Sequence, residues 1–113
     1  MNLPAKPKGL QPAQPTKMAE LLNYQEGTIV SRELLKKPSG NVTLFAIDEG
    51  EGLSEHTSPY DALVQLLEGK AEITVDGEVH TVGEGEIMLL PAGQPHALKA
   101  IESFKMMLTM IRS

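Results

Sequence analysis

From Thr28 onward the chain alternates short apolar-rich runs with turn residues. The cleanest run is Lys70-Ala71-Glu72-Ile73-Thr74-Val75, with apolar side chains at 71, 73 and 75. A period of two places those three on one face of a strand and their polar neighbours on the other. Asp76-Gly77 follows directly. Such a pair accepts the positive φ of a type I′ turn, so residues 71–82 are predicted to form a hairpin. Further strands are predicted over Thr28–Leu35, Asn41–Ile47, Asp61–Leu67, Ile87–Leu90, His96–Ala100 and Phe104–Ile111. The last carries Phe104, Met106, Leu108 and Met110 on one face and Met107 and Ile111 on the other. Both of its faces are therefore expected to be covered. Most glycines fall between the runs, and no internal repeat is visible. Many short strands punctuated by Gly and Pro predict an all-β sandwich or barrel.

The first residues read differently. Pro4, Pro7, Pro12 and Pro15 are four of the eight prolines in the chain. Proline fixes φ and removes a backbone donor, so this stretch is unsuited to helix or central strand. Residues 1–16 are predicted to be a flexible, extended arm and residues 17–113 a single domain. Within residues 17–23 one or two helical turns are expected, with Met18, Leu21 and Leu22 on one side. No apolar segment follows Lys6 and Lys8. The arm is thus not expected to be a secretory leader, and a cytoplasmic location is expected.

Composition narrows the chemistry. With 113 residues the chain has the length of one domain. The absence of cysteine excludes disulfides, thiolate metal sites and a cysteine nucleophile. No apolar run approaches the ~18 residues of a spanning helix, so no membrane partner is expected. The net charge of −5 is unevenly spread. Residues 48–86 hold eleven acids against Lys70 alone. That balance, with only two Tyr and two Phe, argues against a nucleic-acid partner. The acidic centre is expected to be solvated loops and outward strand positions.

Two stretches make the fold more specific. The first runs from Gly50 through His56 to Gly69, and the second from Gly85 through Pro91, Gly93 and His96 to Ala100. They resemble the two motifs of the cupin superfamily, G-(x)5-H-x-H-(x)3–4-E-(x)6-G and G-(x)5-P-x-G-(x)2-H-(x)3-N. Gly50, His56, Gly69, Gly85, Pro91, Gly93 and His96 match in type and spacing. The fifteen residues between the motifs resemble those of short bacterial single-domain cupins. The resemblance implies a double-stranded β-helix, that is, a jelly-roll barrel. It also implies a homodimer, which would relieve exposed strand edges and the two-sided terminal strand. In the family, three His and one Glu usually hold a metal. Here Ser58, Ala62 and Ala100 stand where the motifs have His, Glu and Asn.

Several readings of the site follow. The resemblance implies one divalent metal (Fe, Mn, Ni or Zn) on His56 and His96, serving an oxygenase or isomerase. Two histidines are fewer than the three protein ligands such an ion normally takes. Asp61 is the nearest carboxylate after His56. If His56, Ser58, Tyr60 and Ala62 point inward, however, period-two parity turns Asp61 outward, and Glu55 with it. A small-molecule pocket with a reduced two-histidine site is the leading reading, with a metal-free form as one option. Its walls are expected from Val64, Leu66, Leu98 and Ala100, with Met88, Met106, Met107 and Met110 as adaptable packers. In that pocket His56 or His96 is a candidate general base and Tyr60 the opposing acid. Such a pair resembles RmlC-type sugar-nucleotide epimerases, but the scarcity of basic residues is unsuited to a nucleotide diphosphate. In the third reading the two histidines are a hydrogen-bonded pair that binds nothing. His80, just past the hairpin turn, is expected to be an exposed strand residue.

Overall fold

The computed structural model describes residues 9–112. Residues 1–8 of the expected arm and Ser113 lie outside them. Among the described residues there are nine strands, β1 (Ile29–Lys37), β2 (Gly40–Ile47), β3 (Gly52–His56), β4 (Asp61–Glu68), β5 (Lys70–Val75), β6 (Glu78–Gly83), β7 (Ile87–Leu90), β8 (His96–Ala100) and β9 (Phe104–Ile111). They form a five-stranded sheet of order β1-β2-β9-β4-β7 and a four-stranded sheet of order β3-β8-β5-β6. All pairings are antiparallel. Two facing antiparallel sheets with these crossovers make the jelly roll expected from the sequence. β3 was not expected. It has one apolar residue, Leu53, and is otherwise exposed, so it carries no period-two signal.

The hairpin of β5 and β6 closes as predicted, with Val75 opposite Glu78 and Asp76 and Gly77 at φ 48° and 80°. Ala71, Ile73 and Val75 turn inward and are buried. They meet Val64, Leu66, Leu90, Phe104 and Met106 of the other sheet in one core between the layers. Interdigitated inner faces of this kind are the main source of stability in a two-sheet domain.

A second cluster lies on the outer face of the five-stranded sheet. Leu44, Ala46 and Met107 meet Leu21, Leu22 and Tyr24 there. The expected helical turns shorten to a 3-10 turn, Met18–Glu20, that introduces this covering segment. The second face of β9 is thus covered in part by the chain itself. Polar contacts fasten the cover. The Lys105 ammonium donates to the Ala19 carbonyl at 2.6 Å and lies 3.8 Å from a Glu68 carboxylate oxygen. The Tyr24 hydroxyl donates to the other Glu68 oxygen at 2.8 Å. Burial, together with that hydrogen bond and the Glu68 charge, raises the Tyr24 phenol well above its ordinary value. Farther along the same face, Leu35, Val42, Thr109, Leu63 and Leu89 form one cross-strand row over all five strands. Leu35 and Leu89 in that row are exposed.

The described part of the arm lies against β1. Leu34 is bulged out of the β1–β2 ladder, since Glu33 pairs Thr43 and Leu35 pairs Val42. Its carbonyl is taken by the Leu10 N–H at 3.0 Å. A bulge whose free carbonyl is occupied is a poor template for pairing with another chain.

Candidate functional site

The site is built where β3 meets β8. Leu53 stands opposite Leu98 and His56 opposite His96, so three steps along β3 match two along β8. The extra residue is a β-bulge, and it reverses the parity of the strand. Leu53 and His56 therefore both face the space between the sheets, which an unbroken strand forbids. Leu98, two steps from His96 on β8, faces the same space.

That space is a cavity of about 300 Å³. Its mouth is formed by His56 and the loop Thr57, Ser58 and Pro59, and His96 and Leu98 form one wall. The opposite wall is Ala62 of β4, Leu90 of β7 and Met106, Leu108 and Met110 of β9. No Lys, Arg, Asp or Glu is among the lining residues. Val64, Leu66 and Ala100, expected as walls, are buried beneath the cavity in the core. Met107 faces the outer cluster, and Met88 packs against the core without lining the cavity.

The two histidines are brought together. Their ring centroids are 4.4 Å apart with the planes at 70°, an edge-to-face arrangement. His96 is buried and His56 exposed at the mouth. The His56 Nδ1 lies 2.8 Å from the Ser54 carbonyl and the His96 Nδ1 3.2 Å from the Gln94 carbonyl. A carbonyl only accepts, so each Nδ1 carries the proton, and each neutral ring keeps an acceptor at Nε2. Burial lowers the His96 imidazole below its ordinary value of 6.5 and outweighs the raising effect of the Gln94 carbonyl, while the nearby His56 lowers it further.

The folded state thus binds the His96 proton more weakly than the unfolded chain does. A depressed folded value contributes stability that is present above the unfolded value and lost as pH falls through the folded one. The urea midpoint is therefore expected to drop as pH falls below about 6.5. His96→Gln is expected to remove that part of the slope, measured by denaturation at a series of pH values. An unchanged slope in the variant counts against the assignment.

Tyr60 does not reach the cavity. Its half-buried ring lies under the Arg112 guanidinium at 5.5 Å to the centroid. The parity that pointed it inward does not hold, because residues 57–60 carry the chain from one sheet to the other. Ser58 does line the mouth, where its hydroxyl oxygen accepts the Tyr60 N–H at 3.1 Å. His80 is half-buried rather than exposed, opposite Ile73 on the edge strand β6, and lines no part of the cavity.

Three acids of the centre act as backbone tethers. Asp61 is turned outward and accepts the Ala92 N–H at 2.9 Å. Asp48 accepts the Gly27 N–H at 2.7 Å and the Ser103 hydroxyl at 2.8 Å, and these bonds hold its carboxyl below the ordinary range. Glu86 accepts the Gly83 N–H at 2.7 Å. Among the described residues no group of three or more His, Cys, Asp and Glu is placed to hold a metal ion. A divalent cation normally takes three or more protein ligands. The residues present therefore do not fit the metal centre that the motif resemblance implies. Among the same residues no helix is long and apolar enough to cross a membrane.

A two-sheet jelly roll with paired histidines at a cavity between the layers defines a class of small β-barrel domains. Comparison with known proteins makes the class specific. The family described as "Cupin domain" matches residues 43–112, and the chain belongs to that family. A crystal structure of a conserved protein of unknown function from Streptococcus pyogenes is 34% identical over 97% of this chain and 98% of that one, with a TM-score of 0.89. A cupin 2 conserved barrel domain protein from Leptotrichia buccalis is 43% identical over 84% of this chain and 46% of its own, with a TM-score of 0.82. An uncharacterized protein of Streptomyces coelicolor is 31% identical over 64 residues. The chain spans 61% of that curated relative's length.

Proposed function

We propose that the chain is a small-molecule-binding cupin whose cavity takes an uncharged ligand, with His56 and His96 as its polar contacts. The observation that carries this reading is the pairing of two imidazoles at a cavity with no charged side chain in its lining. A pocket with predominantly apolar walls and a few convergent polar groups is the usual form of a small-molecule site. The two histidines supply orientation and the aliphatic wall supplies burial. The acid–base scheme with Tyr60 has no support in this geometry, because that ring lies against Arg112.

Thermal unfolding of the purified protein with a panel of fragment-sized uncharged compounds tests the proposal. A ligand that binds only the folded state raises the midpoint, by an amount that grows with concentration. At least one compound is expected to raise it, with the rise reduced in His56→Ala. Titration of metal-free protein with Fe, Mn, Ni or Zn is expected to show no tight stoichiometric uptake. Uptake of one equivalent, lost in His56→Ala, would favour the metal-dependent enzyme instead.

A further inference from the structure

The cavity restricts its ligand more narrowly than size does. Both Nδ1 atoms are committed to backbone carbonyls, at 2.8 Å for His56 and 3.2 Å for His96. The two touching rings therefore each offer an Nε2 lone pair, and a neutral ligand group that hydrogen-bonds to either must donate. A carboxylate or phosphate there meets acceptors with no Lys or Arg in the lining, and an ammonium meets no carboxylate. Burying either charge unpaired is costly. The polar end of the ligand is thus a neutral hydrogen-bond donor.

The rest of the cavity describes the body of the ligand. Leu90 and Leu98 give aliphatic walls, and Met106 and Met110 bring two thioethers. Thioether sulfur makes favourable contacts with aromatic ring edges, and unbranched Met adapts to a flat ring. A dry apolar cavity of roughly 150 Å³ already admits benzene. The cavity here, about 300 Å³, has room for one ring with a substituent.

We propose that the ligand is a neutral single-ring aromatic alcohol of the phenol type, with its hydroxyl donating to Nε2 of His96, the buried member of the pair, and its ring against Met106 and Met110. This rests on the small-molecule reading above and adds the ligand's chemical class. Calorimetric titration with phenol, toluene and benzoate at mildly alkaline pH tests it. Phenol is expected to bind about tenfold or more tighter than toluene, the equivalent of about 1.4 kcal/mol. Benzoate is expected not to bind. In His96→Leu phenol and toluene are expected to bind alike, whereas His56→Leu at the exposed mouth is expected to keep a preference for phenol. Persistent toluene binding in these variants shows that the cavity is intact. Equal binding of phenol and toluene to the unaltered protein overturns the proposal and leaves the small-molecule reading standing, as does benzoate binding as tightly as phenol. Binding of none of the three overturns the proposal and also counts against the small-molecule reading.

Discussion

Replacing Gly69 by alanine is expected to cost about 3 kcal/mol or more of folding stability, enough to lower the urea midpoint sharply. Gly69 joins β4 to β5 at φ +85°, where an L side chain is strained. A Cβ built there would lie 2.1 Å from the Ser103 carbonyl oxygen and 2.7 Å from the Phe104 Cα. Those neighbours are backbone, and Phe104 is fully buried at the start of β9. Relief requires moving the central strand of the five-stranded sheet, to which the cavity wall belongs. Gly77 provides the control. It has φ +80° with nothing within 4 Å of an added Cβ, so Gly77→Ala is expected to cost only about 1 kcal/mol. Equal losses in the two variants would show that backbone conformation, not the close approach, sets the cost.

Lys105→Ala is expected to cost about 2–4 kcal/mol and to release the segment that covers the outer face of the sheet. Lys105 is 8% exposed, and its ammonium serves the Ala19 carbonyl, Glu68 and the Tyr24 ring, 5.1 Å away. Truncation leaves that carbonyl without its donor and Glu68 without its cation. Hydrogen exchange of the amides of residues 18–24 is expected to accelerate more than that of the inner strands. Lys105→Met keeps most of the stem and removes the charge, so the difference between the two variants separates packing from ion pairing. Unchanged exchange over residues 18–24 in both would refute the clamp.

Much of the fold is legible where side chains alternate. The hairpin at Asp76-Gly77 and the bounds of β7, β8 and β9 follow from periodicity and turn chemistry. β3 is illegible for a physical reason: an exposed strand with one buried-face leucine looks like a loop. The histidine pair is legible only through the motif spacing, because nothing in the local pattern brings residues 56 and 96 together. Tyr60 shows where parity fails. Counting by twos is valid within one strand, and between His56 and Ala62 the chain leaves one sheet and enters the other. Met107 shows the complementary case, where the alternation is right and the covering segment behind it, Leu21 to Tyr24, is a long-range contact.

The bulge between Leu53 and His56 makes the site depend on a residue count as well as on residue types. Ser54 and Glu55 are both exposed, and substitutions there meet open solvent. Deleting either one leaves two steps along β3 against two along β8, a regular ladder in which Leu53 and His56 keep their partners and their common face, whereas adding one more residue without a wider bulge turns one of the two outward. Chain length at this strand, as well as side-chain chemistry, thus decides which residues face the mouth of the cavity.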